Sequence, residues 1–430
     1  MLRSLWISSL ALTLATTSPV YLVADGENTK DVTSSPLANS GAKAKTVEAE
    51  NAKAVPSHEV VREVTVKPKH KGNTLQTISA DAKGNILCIV GPGRYISDPS
   101  TSKNITEVQI YDRDGKLLST FDLDFTGQAI CGSSDGKIYV AGDAHIACFD
   151  EHGKLEKKVE LPHISKLIKN TEQLKKDAEA QLKMEKGSFE QSVKQISDMK
   201  QKIEDKKVED RTAREKQMLK QYEAILESYK QTEEYYSKRT VDSVLHETLT
   251  RLRYINAVAV NQHDVYIVCG ESKGYGFAIW RMNSNFEEPV LVKGNISGCC
   301  GQMDLCCDGE NLLVAENTLK KFARYSRDGK QLGKWGKAGD QDVEGFGGCC
   351  NPANVRVSNK GDIYTSESEG IIKRFNHKGE FQGLVFKVPV TGGCKNAPIA
   401  MSPDEERLYF GDQIGNKIVI LGKKKVVVSR

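Results

Sequence analysis

The sequence predicts an all-β chain, a six-bladed β-propeller opened by an inserted α-helical hairpin. Three observations carry that expectation. Six segments repeat one strand-and-turn plan, a long charged stretch without proline breaks the repeat, and an apolar start followed by a polar tract stands apart from both.

The start, "MLRSLWISSLALTLATTSPVYLVADGENTK", has Arg3 ahead of an apolar run from Leu5 to about Ala15, then small residues to Ala24. That is the pattern of a secretory signal peptide over residues 1–24, too short and too rich in Ser and Thr for a membrane span. Export to a periplasmic or extracellular location follows, with no membrane span after signal cleavage; an uncleaved anchor is the alternative. Residues 25–58 contain no aromatic side chain and few large apolar ones. Such a tract cannot offset its ordering entropy by burial and is expected as a disordered linker. Lys and Arg total 61 against 57 Asp and Glu, a net charge of only +4, so no global field points to nucleic acid.

The repeats emerge when segments are aligned on their "DG" or "KG" turns. They are "TLQTISADAKGNILCIVG", "GQAICGSSDGKIYVAGDAHIACFDEHGKLEKKVEL", "INAVAVNQHDVYIVCGESKGYGFAIWRMN", "GQMDLCCDGENLLVAENTLKKFARYSRDGKQLGKW", "NPANVRVSNKGDIYTSESEGIIKRFNHKGEFQGLVF" and "APIAMSPDEERLYFGDQIGNKIVILGKKK". Each offers a first strand, a Gly-containing turn, a hydrophobic strand, a third strand, and a second turn before a fourth. Four short strands per unit at a period of roughly 40 to 45 residues describe a propeller blade. Blades one and two then span 59–162, and blades three to six 246–430. The strand-like "EVVREVTVKP" before the first unit is expected to pair with the last blade and cover its edge; the C-terminal "KVVVS" competes for that place.

The middle and last parts of the units carry a family likeness. Tyr139 to Asp143, Leu313 to Asn317 and Tyr364 to Glu367, with Lys320 to Tyr325 and Lys373 to Phe375, resemble NHL-type repeats. The resemblance covers about Val60 to Lys424 outside the insertion. It implies a propeller; because such propellers serve as enzymes, receptors and scaffolds, it implies no single activity.

Residues 163–245 differ in kind. They are dense in Lys, Glu and Gln, and Leu167, Leu174, Phe189, Val193, Ile196, Met199 and Ile203 recur at three-to-four spacing, as do Met218, Tyr222, Ile225 and Tyr229. The pattern predicts a helical hairpin with a coiled-coil-like stripe. Its turn is expected near Lys206 to Thr212, where Thr212 to Glu215, "TARE", can cap the second helix; Gly187-Ser188 is the rival turn. The stripe either zips the two arms or engages a protein partner or a second copy of the chain.

The 11 cysteines are the main chemical feature. Cys88, Cys148 and Cys269 sit in apolar strands and Cys131 near the end of one, as expected of buried, inert thiols. Cys350 and Cys394 each stand seven residues before the equivalent strand positions Val357 and Met401, and Cys299-Cys300 falls near the same place in blade four. Cys299, Cys300, Cys349, Cys350 and Cys394 are therefore expected to converge at one mouth of the channel, with Cys306 and Cys307 at the opposite end of their strand. Three chemistries compete there: inter-blade disulfides, a thiolate-bound metal (zinc, copper or an iron–sulfur cluster), and thiol exchange. A disulfide between adjacent cysteines is the less comfortable option, since neighbouring Cα atoms are only about 3.8 Å apart and disulfides prefer roughly 4.4 to 6.8 Å.

An exported binding or scaffolding module is the expected function. The alternative is a lactonase-like, metal-dependent hydrolase or lyase, which would use scattered histidines or carboxylates in the channel. Of the eight histidines, His58 and His70 lie in or near the linker, His163 and His246 flank the insertion, and His145, His152, His263 and His377 fall on outer strands or turns, forming no convergent set. Asp143, Glu271, Glu316, Glu367 and Asp412 recur after the second strands, which favours turn-capping over catalysis.

Overall fold

The computed structural model describes residues 53–93, 105–274, 276–298, 302–339, 343–391, 393 and 395–424. The expected signal peptide, most of the linker and the C-terminal "KVVVS" lie outside the described residues.

A strand, β1 (His58–Thr65), precedes the first repeat. The first sheet is β2 (Thr74–Ala80), β3 (Ile86–Gly91), β4 (Glu107–Tyr111) and β5 (Leu117–Asp122). The second is β6 (Ala129–Gly132), β7 (Ile138–Gly142), β8 (His145–Phe149) and β9 (Leu155–Glu160). After the helices come β10 (Ile255–Val260), β11 (Asp264–Gly270), β12 (Phe277–Asn283) and β13 (Val290–Ile296). The fourth sheet is β14 (Asp304–Asp308), β15 (Asn311–Glu316), β16 (Lys321–Tyr325) and β17 (Gln331–Trp335). The fifth is β18 (Asn354–Val357), β19 (Ile363–Ser366), β20 (Ile371–Phe375) and β21 (Phe381–Lys387). The last contains β22 (Ile399–Met401), β23 (Arg407–Asp412) and β24 (Lys417–Lys423).

All six sheets are four-stranded and antiparallel, and the last takes β1 as its outermost strand, His58 opposite Lys423 and Thr65 opposite Lys417. The first strands lie side by side in the order β2, β6, β10, β14, β18, β22, and β22 returns beside β2. This is an arrangement of the β-propeller type.

The ring explains why second strands such as "IYVAG" and "RLYF" are apolar on both faces. Successive side chains of a strand point to opposite faces, and each sheet is covered on both. Tyr409 packs between the last sheet and the first, whereas its neighbour Phe410 packs between the fifth and the last. Leu312 and Leu313 divide in the same way between the third–fourth and fourth–fifth interfaces. The recurring turn glycines have a second use: at Gly379, φ is +77° and an added Cβ would overlap the Trp335 ring of the preceding sheet.

The insertion forms four helices: α1 (Pro162–Lys169), α2 (Thr171–Glu204), α3 (Ala213–Lys238) and α4 (Val241–Arg253). The α2–α3 turn falls after Glu204, and Thr212 with Glu215 builds the expected capping box, the Glu215 N–H donating to Thr212 Oγ1 at 3.2 Å. Helix α2 runs through Gly187 without a turn. Phe189 meets Tyr229 and Tyr236 at ring separations of 5.6 and 5.0 Å, so this part of the stripe zips the arms. Two details correct the sequence expectation. Leu174, and Leu167 in part, pack on the second and third sheets instead of joining that zip. Helical structure also continues past the expected boundary at 245, because Thr240 caps a fresh helix whose Val244, Thr248 and Leu252 are buried.

Arg239 locks the base of the arm. Its guanidinium is nearly fully buried and donates to Glu185 Oε2 of α2 at 2.8 Å and to both Glu247 oxygens of α4 at 2.6 and 2.8 Å. No helix among the described residues is long and apolar enough to cross a membrane.

His163, on α1, stacks on Trp280 with ring centroids 4.4 Å apart, and neither ring nitrogen has a hydrogen-bond partner. Burial lowers its pKa to about 3, and burial with the Lys423 and Arg374 charges lowers that of His58 to about 4. The unfolded chain takes up protons below its ordinary histidine pKa that the native chain refuses, so stability falls as pH drops from about 6.5. Between pH 6.5 and 5, His163 alone is expected to cost about 2 kcal/mol. Thermal unfolding across this range should show a shallower loss in His163→Phe, which keeps the stack on Trp280; equal slopes would refute the assignment.

Candidate functional site at the axial mouth

The six first strands begin around a cavity of about 650 Å³. A second cavity of about 660 Å³ lies between the second and third sheets. The axial one is distinguished by its lining, to which every sheet contributes. Each supplies one carboxamide at or just before its first strand: Gln76, Gln128, Asn256, Gln302, Asn354 and Asn396. The signal was present in the aligned repeats as an amide in "LQTIS", "GQAI", "INAV", "GQMD", "PANV" and "KNAP", but polar residues at strand starts pass for ordinary turn chemistry.

Part of this amide set joins neighbouring sheets. Gln128 Oε1 accepts the N–H of Ile255 at 2.8 Å, and Asn354 Nδ2 donates to Asn396 Oδ1 at 2.5 Å. Gln302 differs, because its Oε1 is buried with no hydrogen-bond partner. A buried acceptor in that condition favours a donor arriving in the cavity. Helix α4 contributes to the rim through Thr250 and Arg253, so the helical insertion borders the mouth.

One step along the first strands, side chains two residues apart share the axial face. Asp304 Oδ2 accepts from Arg356 Nη1 at 2.6 Å and from the Val355 N–H at 2.9 Å. Burial raises the Asp304 carboxyl pKa against the opposing pull of Arg356. Arg356 acts on the Cys131 and Cys306 thiols in the direction opposite to burial, which is the larger effect at both. Burial pushes the Cys306 thiol up to about 12, raises Cys131, and raises Cys307 well above the ordinary range. These sulfurs stay protonated at neutral pH and are poor ligands or nucleophiles.

Among the described residues these three thiols pack in separate inter-sheet clusters. Cys131 packs on the core between the second and third sheets, as expected of an inert thiol, and Cys306 and Cys307 lie on opposite faces of β14. Cys299, Cys300 and Cys394 lie outside the described residues. Cys349 and Cys350 occupy the loop before β18, with Cys349 exposed, Cys350 buried and their sulfurs 3.1 Å apart. That separation is longer than a disulfide bond of about 2.05 Å. Their loop is tied to its own sheet: the Gly347 N–H donates to Glu367 Oε2 at 3.0 Å and Asn351 Nδ2 to Glu369 Oε2 at 2.7 Å. Ala353 and Asn354 line the cavity just beyond. Cys88, Cys148 and Cys269 are buried core thiols as expected, and burial pushes Cys148 up to about 11 and Cys269 to about 12.

Solved structures similar to this chain are propellers. A virginiamycin B lyase from Staphylococcus aureus is 11% identical, with 84% of this chain and 99% of that one covered and a TM-score of 0.39. The calcium-binding protein regucalcin from Agrobacterium tumefaciens is 12% identical, covers 84% and 94%, and scores 0.43. The Pan2 WD40 domain of Neurospora crassa is 10% identical, covers 87% and 98%, and scores 0.41. No family model matches the sequence, and no curated protein is returned as a relative.

The recurring acids serve the sheets. Glu271 Oε1 accepts the Asn295 N–H at 2.7 Å, Asp412 Oδ1 accepts the Gly415 N–H at 3.1 Å, and Glu367 forms a buried ion pair with Lys373 at 2.6 Å. Among the described residues no histidine lines the axial cavity, and His70 lies with Glu107 and Asp122 away from the mouth.

Removing Arg356 strands the buried Asp304 carboxylate. Arg356→Met is expected to cost about 3–5 kcal/mol in urea unfolding. Adding Asp304→Asn, which keeps an acceptor for the Val355 N–H, should recover most of that loss. Equal stabilities for the single and double variants would show that the pair is not coupled.

Proposed function

We propose that the chain is an exported, six-bladed propeller of NHL type that acts as a binding module. Its axial mouth takes a small, hydroxyl-bearing ligand of the saccharide class. The observation that carries this reading is the buried Gln302 Oε1, an acceptor without a donor in a cavity to which every sheet adds a carboxamide. Amides offer both donors and acceptors, which matches hydroxyl groups. Asp304 pairs with Arg356 and Asp143 lies 3.8 Å from Arg253, while Lys395, which also lines the cavity, donates to the Thr391 carbonyl and has further N–H groups to offer hydroxyl oxygens. A cavity of about 650 Å³ suits a small molecule.

The cysteines that precede the fourth, fifth and last sheets support this face structurally in the same reading, as inter-sheet disulfides or a thiolate-bound metal involving Cys299, Cys300, Cys349, Cys350 and Cys394. Helices α2 and α3 offer a protein partner or a second copy an arm on which Met184, Met199 and Val208 are exposed. Lactonase-like hydrolysis is the rival function. Turnover of a lactone or ester that depends on added divalent metal and disappears in Asn354→Ala would replace binding with catalysis.

Calorimetry with a panel of mono- and disaccharides tests the binding reading. A ligand should emerge whose affinity falls roughly fivefold, about 1 kcal/mol, in Gln302→Ala. A panel with no binder, or a binder indifferent to Gln302 and Asn354, would sink it. For the arm, replacing residues 190–232 with a short flexible linker, which keeps Leu174 and the Arg239–Glu185 pair, should change the oligomeric mass or the set of co-purified proteins, while the sheets keep their cooperative unfolding. An unchanged mass and set would leave the arm without a partner role.

A further inference from the structure

We propose that His70, Glu107 and Asp122 bind a divalent first-row transition cation at the seam where the ring closes. One potential ligand atom from each of the three lies within 4.8 Å of the others, and His70 Nε2 is 2.9 Å from Asp122 Oδ1. An imidazole nitrogen and two carboxylates form a donor set suited to such an ion, and their two negative charges match its charge.

Glu107 supplies the independent sign of a missing ligand. The residue is fully buried at the start of β4. Its Oε1 accepts the Lys69 N–H at 2.9 Å and Gln109 Nε2 at 3.4 Å, whereas Oε2 is buried with no hydrogen-bond partner. A buried carboxylate oxygen left bare is costly, and a bound cation removes that cost. Burial accordingly raises the carboxyl's pKa, and the nearby His70 and Lys69 act in the opposite direction.

The cation's place beside Asp122 is held by a mobile substitute. Lys69 Nζ lies 2.6 Å from Asp122 Oδ2, and its side chain is mostly exposed. An ammonium on a flexible stem can leave when a dication arrives. The location gives the site its purpose. His70 lies in the connection from β1 to β2, Glu107 on β4 and Asp122 at the end of β5. The same connection is already tied to the first sheet by Gln109 Nε2 donating to the Lys67 carbonyl at 2.8 Å and Asn73 Nδ2 donating to the Ile105 carbonyl at 2.8 Å. A cation held by the three side chains clips the connection of the closing strand to the outer edge of the first sheet. It shares no residue with the axial mouth, so its fate is independent of the saccharide reading.

Mn²⁺ titrated into the full chain and followed by electron paramagnetic resonance tests the site, since thiolates prefer softer ions and do not compete. The expected result is one saturable Mn²⁺ per chain, weakened by about tenfold or more in His70→Ala and in Asp122→Asn. Lys69→Ala should bind Mn²⁺ as tightly as the parent chain or more tightly. The melting temperature should rise with Mn²⁺ in the parent chain and stay constant in His70→Ala. Glu107→Gln is expected to lose binding as well. Because that residue is buried, the partly exposed His70 and Asp122 variants decide the matter if it does not fold. Absence of saturable binding, or binding unchanged in His70→Ala and Asp122→Asn, would overturn the proposal.

Discussion

The pairing of β1 with β24 is the contact on which the rest of the molecule depends. A propeller sheet has two apolar faces, and each is covered only by a neighbouring sheet, so every interface assumes that the ring is complete. Here the ring is completed by strands at opposite ends of the described chain, with registered pairs from His58–Lys423 to Thr65–Lys417. Asn416 reinforces the joint. Its Oδ1 accepts the Leu75 N–H at 2.7 Å and its Nδ2 donates to the Val66 carbonyl at 2.9 Å, so one side chain holds the closing strand's exit and the start of the first sheet. The His70 group lies on that same connection, where a bound ion would act on closure directly.

Closure also determines what meets at the axis. Gln76 and Asn396 belong to the first and last sheets and line one cavity only because β22 returns beside β2. The chemistry of that cavity is one of hydrogen bonding, since its carboxyl and guanidinium groups are largely engaged with each other. Below the amides, the Asp304–Arg356 pair gives the axis a polar centre among protonated thiols. A buried ion pair of this kind is weak evidence for stability by itself. Its geometry nevertheless fixes the relative position of the fourth and fifth sheets, because Asp304 also accepts the Val355 N–H.

The helical insertion is attached at two levels. Leu161, Ile164, Leu174 and Leu252 merge with the core between the second and third sheets, so the base of the arm is part of the propeller's packing. Arg239 then joins α2 to α4 through Glu185 and Glu247. Beyond that point α3 buries no residue, and it packs on α2 in the manner of the Phe189–Tyr229 pair. The arm thus passes from a fixed base beside the mouth to an outer part with exposed apolar side chains.

Local chemistry was enough to locate most elements. The "DG" turns, the alternating strands, the proline-free stretch and the "TARE" cap each act over a few residues, and the strands, the α2–α3 turn and the closing role of β1 follow from them. The end of the insertion was misplaced because the Thr240 cap and the apolar side of α4 are short signals beside a long charged helix. What the sequence by itself determined is therefore the repeat, the insertion and the strand that closes the ring. Only the tertiary structure decided which side chains share the axis and which acids lose their partners. Gln76 and Asn396 are 320 positions apart, and Glu107 and His70 are 37 apart, by subtraction of their residue numbers. Their proximity is set by how six sheets pack around a ring, a property of the closed chain that no single repeat contains.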